Sequence, residues 1–344
     1  MRRAKSLTAL VSAAALLAGL SLAASRKAVP EVPSRAFQFT SVVHVPALPA
    51  GSRALKLWLP LPYEDAHQSV TQLTITSPVP YRLEREPEYG DRYAYLVVHG
   101  AKQGPFDIKV SFHVRRFEYK VSLAPLAQPS SAPRVQLTRF LQPDRLVPLG
   151  GKIADLSREQ TDGATQPLDK ARKIYDYVIA TMHYDHDGTE WGRGDALWAC
   201  DAKHGNCTDF HSLFIAMARD AGIPARFEIG FSLSPDTHEA SLTSYHCWAE
   251  FYVDGIGWIP VDASEAWKHK EKANYFFGAV DTNRLMMTLG RDIHLRPAQA
   301  EAPLNYSVYP YAELDGKAFT EIKSEYKFQD DPVPAEPASS AKGD

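Results

Sequence analysis

Cysteine is scarce in this chain: three among 344 residues, at positions 200, 207 and 247. Three are too few for a disulfide scaffold, and an odd number leaves at least one thiol unpaired whatever bridge forms. Positive charge is not in excess either, since 38 Lys and Arg stand against 41 Asp and Glu, a formal net charge of −3. Phosphate binding needs clustered cations, so the absence of a basic stripe argues against nucleic acid as a partner. Beyond residue 25 no apolar run is long enough to suggest a membrane span in the mature chain. Hydrophobic residues make up 44% and charged ones 23%, as in an ordinary packed, water-soluble protein, and the length suggests two domains.

The one long apolar run opens the chain. Arg2, Arg3 and Lys5 precede Leu7 to Ala24, and the run closes on the small residues Ala23, Ala24 and Ser25. This is the pattern of a secretory signal peptide over residues 1–25. Its length, near the lower limit of about 17 residues for a bilayer-spanning helix, leaves an uncleaved N-terminal anchor as the alternative. Either reading exports the rest, to the periplasm or out of the cell. Losing Arg2, Arg3 and Lys5 would take the formal charge from −3 to −6. A free thiol in an oxidising compartment needs a reason, and that makes the leftover cysteine the first functional clue.

Hydrophobic periodicity divides the remainder. Phe37, Phe39, Val43 and Val45 alternate, as do Leu55 to Leu61 and Phe106 to Val114, which predicts half-buried strands and a β-sandwich over residues 35–120. Residues 121–135, with the Pro- and Ser-rich Ala124 to Pro133, read as a linker. From Leu168 to Met182, and from Phe210 to Ala221, apolar residues fall at helical spacing, the second run stopping at Gly222 and Pro224. Strands are expected near Ala225–Phe231, Cys247–Val253 and Trp258–Val261. Residues 136–328 therefore form an α+β domain, and residues 329–344 read as a disordered tail.

Cys207 stands where the second helix should begin. Asn206 is a suitable N-cap and Asp209 completes a capping box, so Cys207 takes the first helical position. There the free backbone N–H groups and the helix dipole favour a thiolate, whereas the Asp209 carboxylate opposes it. A cationic partner is needed, and His204, His211 and His246 are the candidates. His211 reads as a hydrogen-bonded core residue. His246 lies in "YHCWAEFYVDGIGWIPVDAS", which reads as a hairpin. With Val253, Asp254 and Gly255 as its loop, Tyr252 meets Ile256, Glu250 meets Trp258 and His246 meets Asp262, within reach of an imidazole–carboxylate bond. A thiolate, an imidazole and an orienting carboxylate are what nucleophilic catalysis requires. A surface histidine–carboxylate pair is the bland alternative.

The segments "GNCTDFHSLFIAMARDAGIPARFEIGF" and "YHCWAEFYVDGIGWIPVDAS" resemble the transglutaminase-like superfamily, whose papain-like fold uses a Cys, His, Asp triad. The resemblance is dense from about Arg172 to Ala266. It implies Cys207 as nucleophile, His246 as general base and Asp262 as orienting acid, with the nucleophile's helix packed on an antiparallel sheet and a β-domain in front. It also implies an oxyanion site formed by the Cys207 backbone N–H and a second donor, for which Trp198 is the counterpart of the tryptophan in animal transglutaminases. The family includes peptidases, amide hydrolases, cross-linking transglutaminases and inactive scaffolds. The resemblance therefore implies attack on a peptide-type amide through a thioester, with hydrolysis favoured in water. Cross-linking and non-catalytic peptide or cell-wall binding are the alternatives. A peptide or protein substrate is expected and no cofactor; oligomeric state is not legible.

Other patterns stay open. Cys200, His204, Cys207 and His211 could be read as a zinc site, but their spacing is not that of a known finger and no metal is expected. Cys200 and Cys247 could pair as the one permissible disulfide or remain buried thiols. Asn206 and Asn305 begin glycosylation sequons. Glu250, Trp248 and Trp258 could line a substrate groove or simply be solvated or packed.

Overall fold

The computed structural model describes residues 32–100, 104–124 and 137–332. The expected signal peptide and most of the expected linker and tail lie outside the described residues. The period-two segments form β1 (Ser34–Val45), β2 (Ala54–Pro60), β3 (Gln68–Thr76), β4 (Tyr81–Arg85), β5 (Arg92–His99) and β6 (Phe106–Phe117). Their apolar residues face one another in two stacked sheets. Phe37, Phe39, Val43 and Val45 of β1 are buried in one cluster with Ile108 to Val114 of β6 and Leu55 to Leu59 of β2, with Phe39 directly opposite Phe112.

Later chain completes these sheets. Short β7 (Tyr119–Lys120), β8 (His183–Tyr184) and β9 (His204–Gly205) precede β10 (Ala225–Ser232), β11 (Glu239–Leu242), β12 (His246–Val253) and β13 (Gly257–Val261). Then follow β14 (Ala279–Val280), β15 (Arg284–Leu289), β16 (Tyr311–Leu314), β17 (Lys317–Ala318) and β18 (Lys323–Asp330). One sandwich sheet has the order β11-β18-β1-β6-β3 and the other β17-β16-β2-β5-β4. The sandwich is thus not confined to residues 35–120, and the described residues from Pro33 onward cluster as one unit. Gln329 and Asp330, expected in a disordered tail, belong to β18, which pairs with β1 from Phe37–Asp330 to His44–Lys323. The signal was weak because only Tyr326 and Phe328 of β18 are buried and charged residues flank them.

The four-stranded sheet, β13-β12-β10-β15, is antiparallel. The described helices include α1 (Gly151–Gln160), α2 (Pro167–Thr181), α3 (Ala196–Ala202), α4 (Cys207–Asp220) and α5 (Ala263–Lys268), and α4 packs against this sheet. Every residue of α4 from Cys207 to Arg219 is buried, because β10 and β12 cover one side and α1, α2 and α3 the others. The buried polar residues of α4, Asp209, His211, Ser212 and Arg219 among them, are hydrogen-bonded. The architecture is the expected α+β one, with the Cys207 helix on an antiparallel sheet. Among the described residues no helix is long and apolar enough to cross a membrane.

The hairpin differs from expectation by two residues. Its loop is Asp254–Ile256, with Gly255 at φ +82°, so Tyr252 pairs with Trp258 and Glu250 with Pro260. An even shift leaves every side chain on its own face, whereas a single-residue slip would have turned them over. His246 and Asp262 therefore still share a face, but diagonally, with Asp262 beyond the end of β13.

Candidate active site

Cys207 is the first residue of α4, and the turn before it is tightly fixed. Asn206 Oδ1 accepts the Thr208 N–H at 2.9 Å, while Asp209 Oδ2 accepts the Asn206 N–H at 2.9 Å. Asp209 also accepts the N–H groups of Gly192 at 2.7 Å and Gly194 at 2.9 Å. Burial raises the Asp209 pKa and the nearby Cys207 charge adds to this, but the three backbone donors oppose the rise. The carboxylate that would repel a thiolate is thus engaged elsewhere. Gly205 makes the turn possible: at φ +136° a Cβ there would lie 2.3 Å from Asp209 Oδ2.

The Cys207 thiol is buried, and burial alone would raise its pKa. Contacts with Cys247 and His246, together with the charge of His246, outweigh burial and hold the thiol well below its ordinary value. His246 is buried as well. Desolvation pushes its imidazole down, but the Asp262 carboxylate and its hydrogen bond, with help from Cys207, lift it to about 9. Both shifts favour the thiolate and imidazolium forms over the neutral pair. His246 Nε2 bonds Asp262 Oδ2 at 2.7 Å, which leaves Nδ1 as the ring nitrogen for the thiol. Asp262 caps α5: its Oδ1 accepts the Glu265 N–H and the Ser264 hydroxyl, each at 3.0 Å. Burial opposes its ionisation, but His246 and Arg284 keep its carboxyl well below the usual range.

Cys207, His246 and Asp262 are thus brought together. The ring of Trp198 meets His204 edge-on, with centroids 5.0 Å apart. One side chain that meets the Cys207 backbone is Tyr184, carried on β8 beside Gly205 of β9. His204 turns to Asp185, with Nδ1 2.7 Å from Oδ1. His211 accepts the Ala263 N–H at Nε2, 3.0 Å, so its Nδ1 carries the proton and donates to the Cys207 carbonyl at 2.7 Å. Burial lowers its pKa, in keeping with a neutral structural ring.

All three cysteines are free and buried. Cys247 does not pair with Cys200; its Sγ lies 3.6 Å from His211 Nδ1 and it contacts Cys207. Within the Cys200–His211 run, His204 turns to Asp185 whereas His211 turns to the Cys207 carbonyl. Asn206, first of one sequon, is buried and occupied as the cap, while Asn305 accepts from Arg291 at 2.9 Å. Glu250 bonds Arg226, and Trp248 donates to Glu228. The Arg226 guanidinium lies 4.1 Å from the Trp258 ring centroid. These groups pack internally; Trp248 is 1% exposed.

Sequence reasoning missed Arg284. Its Nη2 donates to Asp262 Oδ2 at 3.2 Å, and both side chains are buried. An arginine opening the apolar run "RLMMTL" was the available signal.

Residues 154–263 match the sequence model of the transglutaminase-like superfamily. An uncharacterised protein of Haemophilus influenzae is 27% identical over 349 aligned residues, covering 89% of this chain and 94% of that protein. The uncharacterised protein YebA of Bacillus subtilis is 23% identical over 142 residues, 37% of this chain and 19% of its own. Among solved structures, a candidate cysteine protease from Cytophaga hutchinsonii superposes with a TM-score of 0.57 at 18% identity, over 89% of this chain and 93% of that one. That is a likeness of fold. The sequence match is carried by residues 154–263, which form a transglutaminase-like domain.

Proposed function

We propose that this protein is an exported, thiol-dependent acyl-transfer enzyme that hydrolyses a peptide-type amide. The observation that carries the reading is the buried Cys207–His246–Asp262 arrangement, with a lowered thiol and a raised imidazole. The Cys207 thiolate attacks the amide carbonyl, and the tetrahedral oxyanion is met by backbone N–H at the start of α4. The C–N bond breaks as His246 passes its proton to the departing amine, leaving a thioester on Cys207. Water then adds to the thioester, giving its proton to His246, and the acid leaves as the thiolate returns. Asp262 holds the imidazole in orientation and balances its charge throughout. Export rests on residues 1–25, and the substrate class is a peptide or protein.

The test is a screen of peptide amides for amine release, with Cys207→Ala as control. Expected are amine release by the wild type, none by the variant, and interception of the thioester by hydroxylamine as a hydroxamate. Incorporation of a primary amine in preference to hydrolysis would assign cross-linking instead. No Cys207-dependent turnover and no trapped acyl group would leave the binding-scaffold reading standing.

A further inference from the structure

Arg284 is a buried cation that the three-residue mechanism does not use. It begins β15 and pairs with Ser232 of β10, while Gly230 of β10 pairs with His246 of β12. Directly opposed residues share a face, so Arg284 and His246 lie on the same face of the sheet, one strand apart. Small residues keep the path between them clear. A Cβ at Gly230 would fall 1.8 Å from the Leu285 carbonyl oxygen, so only glycine allows the strands to approach here. Across that gap the guanidinium reaches Asp262 Oδ2 at 3.2 Å, the same oxygen that His246 Nε2 holds at 2.7 Å. Its Nη1 is anchored by Ser232 Oγ at 3.1 Å, Asp281 Oδ1 at 3.2 Å and the Asn283 carbonyl at 3.2 Å.

We propose that Arg284 is a positioning residue of the acyl-transfer site, which by sharing Asp262 Oδ2 with His246 fixes the carboxylate and limits how tightly the imidazolium holds its proton. The proposal rests on the acyl-transfer reading above. In each turnover His246 must release a proton to an amine, and a general acid works best when its affinity lies near the working pH. A buried carboxylate facing His246 alone would clamp the imidazolium. A guanidinium on the same oxygen offsets part of that negative charge, and its field disfavours a second cation nearby. The other charged or titratable groups acting on His246 are Cys207 and His211 on α4 and Glu265 on α5. Of the cations acting on Asp262, Arg284 is the one with a permanent charge.

The test is an NMR titration of the full chain carrying ¹³C-labelled histidine, with the His246 signal assigned through His246→Gln. Wild-type His246 is expected to titrate at about 9. Arg284→Gln should move that midpoint up by about one pH unit, and Arg284→Lys, which keeps the charge, should return it to within roughly 0.3 unit of wild type. Asp281 is partly exposed and partly neutralises Arg284. Asp281→Asn should therefore move the midpoint down, by roughly half a unit. If Arg284→Gln fails to fold, an Asp281→Asn midpoint that does not move down still overturns the role given to Arg284. Midpoints unchanged in Arg284→Gln and Asp281→Asn would overturn the role given to Arg284. A wild-type midpoint near the ordinary histidine value of about 6.5 would instead overturn the acyl-transfer reading beneath it.

Discussion

At the residue scale, the question is how a thiol that is 1% exposed can be held below its ordinary pKa. Desolvation of the thiolate is unfavourable, and the Cys207–His246 pair solves it by burying both charges together. Asp262 sustains the pair, because without its negative charge the imidazole would lose its proton in the same dry site. Asp262→Asn keeps the shape and one acceptor but removes the charge. We expect His246 to fall towards its ordinary value and amide turnover to drop by roughly 10³- to 10⁴-fold, measured as kcat on whichever amide the screen identifies. The upper pH limb follows from the same pair. With His246 raised to about 9, the imidazolium is present below that pH and lost above it. Turnover should therefore fall as pH rises through about 9. These residue types were legible in the sequence, since Cys207, His246 and Asp262 each stand beside a readable turn. Arg284 was not, because a lone arginine at the head of a strand reads as an exposed residue until a partner from another element is seen. Trp198 has no such readable turn: nothing in its spacing ties it to the Cys207 backbone.

At the scale of elements, the start of α4 and the β12–β13 hairpin do the positioning. The helix start depends on Gly205, whose φ of +136° and missing Cβ let Asp209 close the capping box. Gly205→Ala should cost about 2 kcal/mol or more through backbone strain and the clash with Asp209. Urea unfolding should show a lower midpoint at unchanged slope, and alkylation of Cys207 should slow as its helix start loosens. An unchanged midpoint would show that the turn relaxes without cost. The capping box was legible because its donors and acceptors lie within four residues. The hairpin register was legible only in its parity: the alternation of buried residues specifies which face each side chain takes, while Gly255 in a left-handed conformation suits loops at either of two adjacent positions. Asp262 still reaches His246 because it lies one step past the strand end, free to turn back as the cap of α5.

At the scale of the whole molecule, the two ends of the described chain are neighbours. β18 runs beside β1, and Arg35 Nε donates to Asp330 Oδ1 at 2.8 Å, tying the last strand to the first. Truncation after Ile322 would remove β18, the buried Tyr326 and Phe328, and the cover on β1. The expected outcome is a chain that elutes as aggregate in size-exclusion chromatography, since a long edge strand is left open. A monodisperse truncated protein with native circular dichroism would contradict that role. This closure was invisible in the sequence because strand partners hundreds of residues apart leave no local pattern. What the assembled fold achieves is to set Cys207, at a helix start, against a histidine on a strand and an aspartate at a second helix start. The measurement that tests this most directly is the pH dependence of Cys207 alkylation by iodoacetamide, read by mass spectrometry in the wild type and in His246→Ala. The ion pair predicts that wild-type Cys207 reacts rapidly and almost independently of pH from about 6 to 8. In His246→Ala the rate at pH 6 should fall about 10²-fold and follow an ordinary thiol with a pKa near 8.5. A wild-type profile that already follows the ordinary thiol, unchanged by loss of His246, would contradict it.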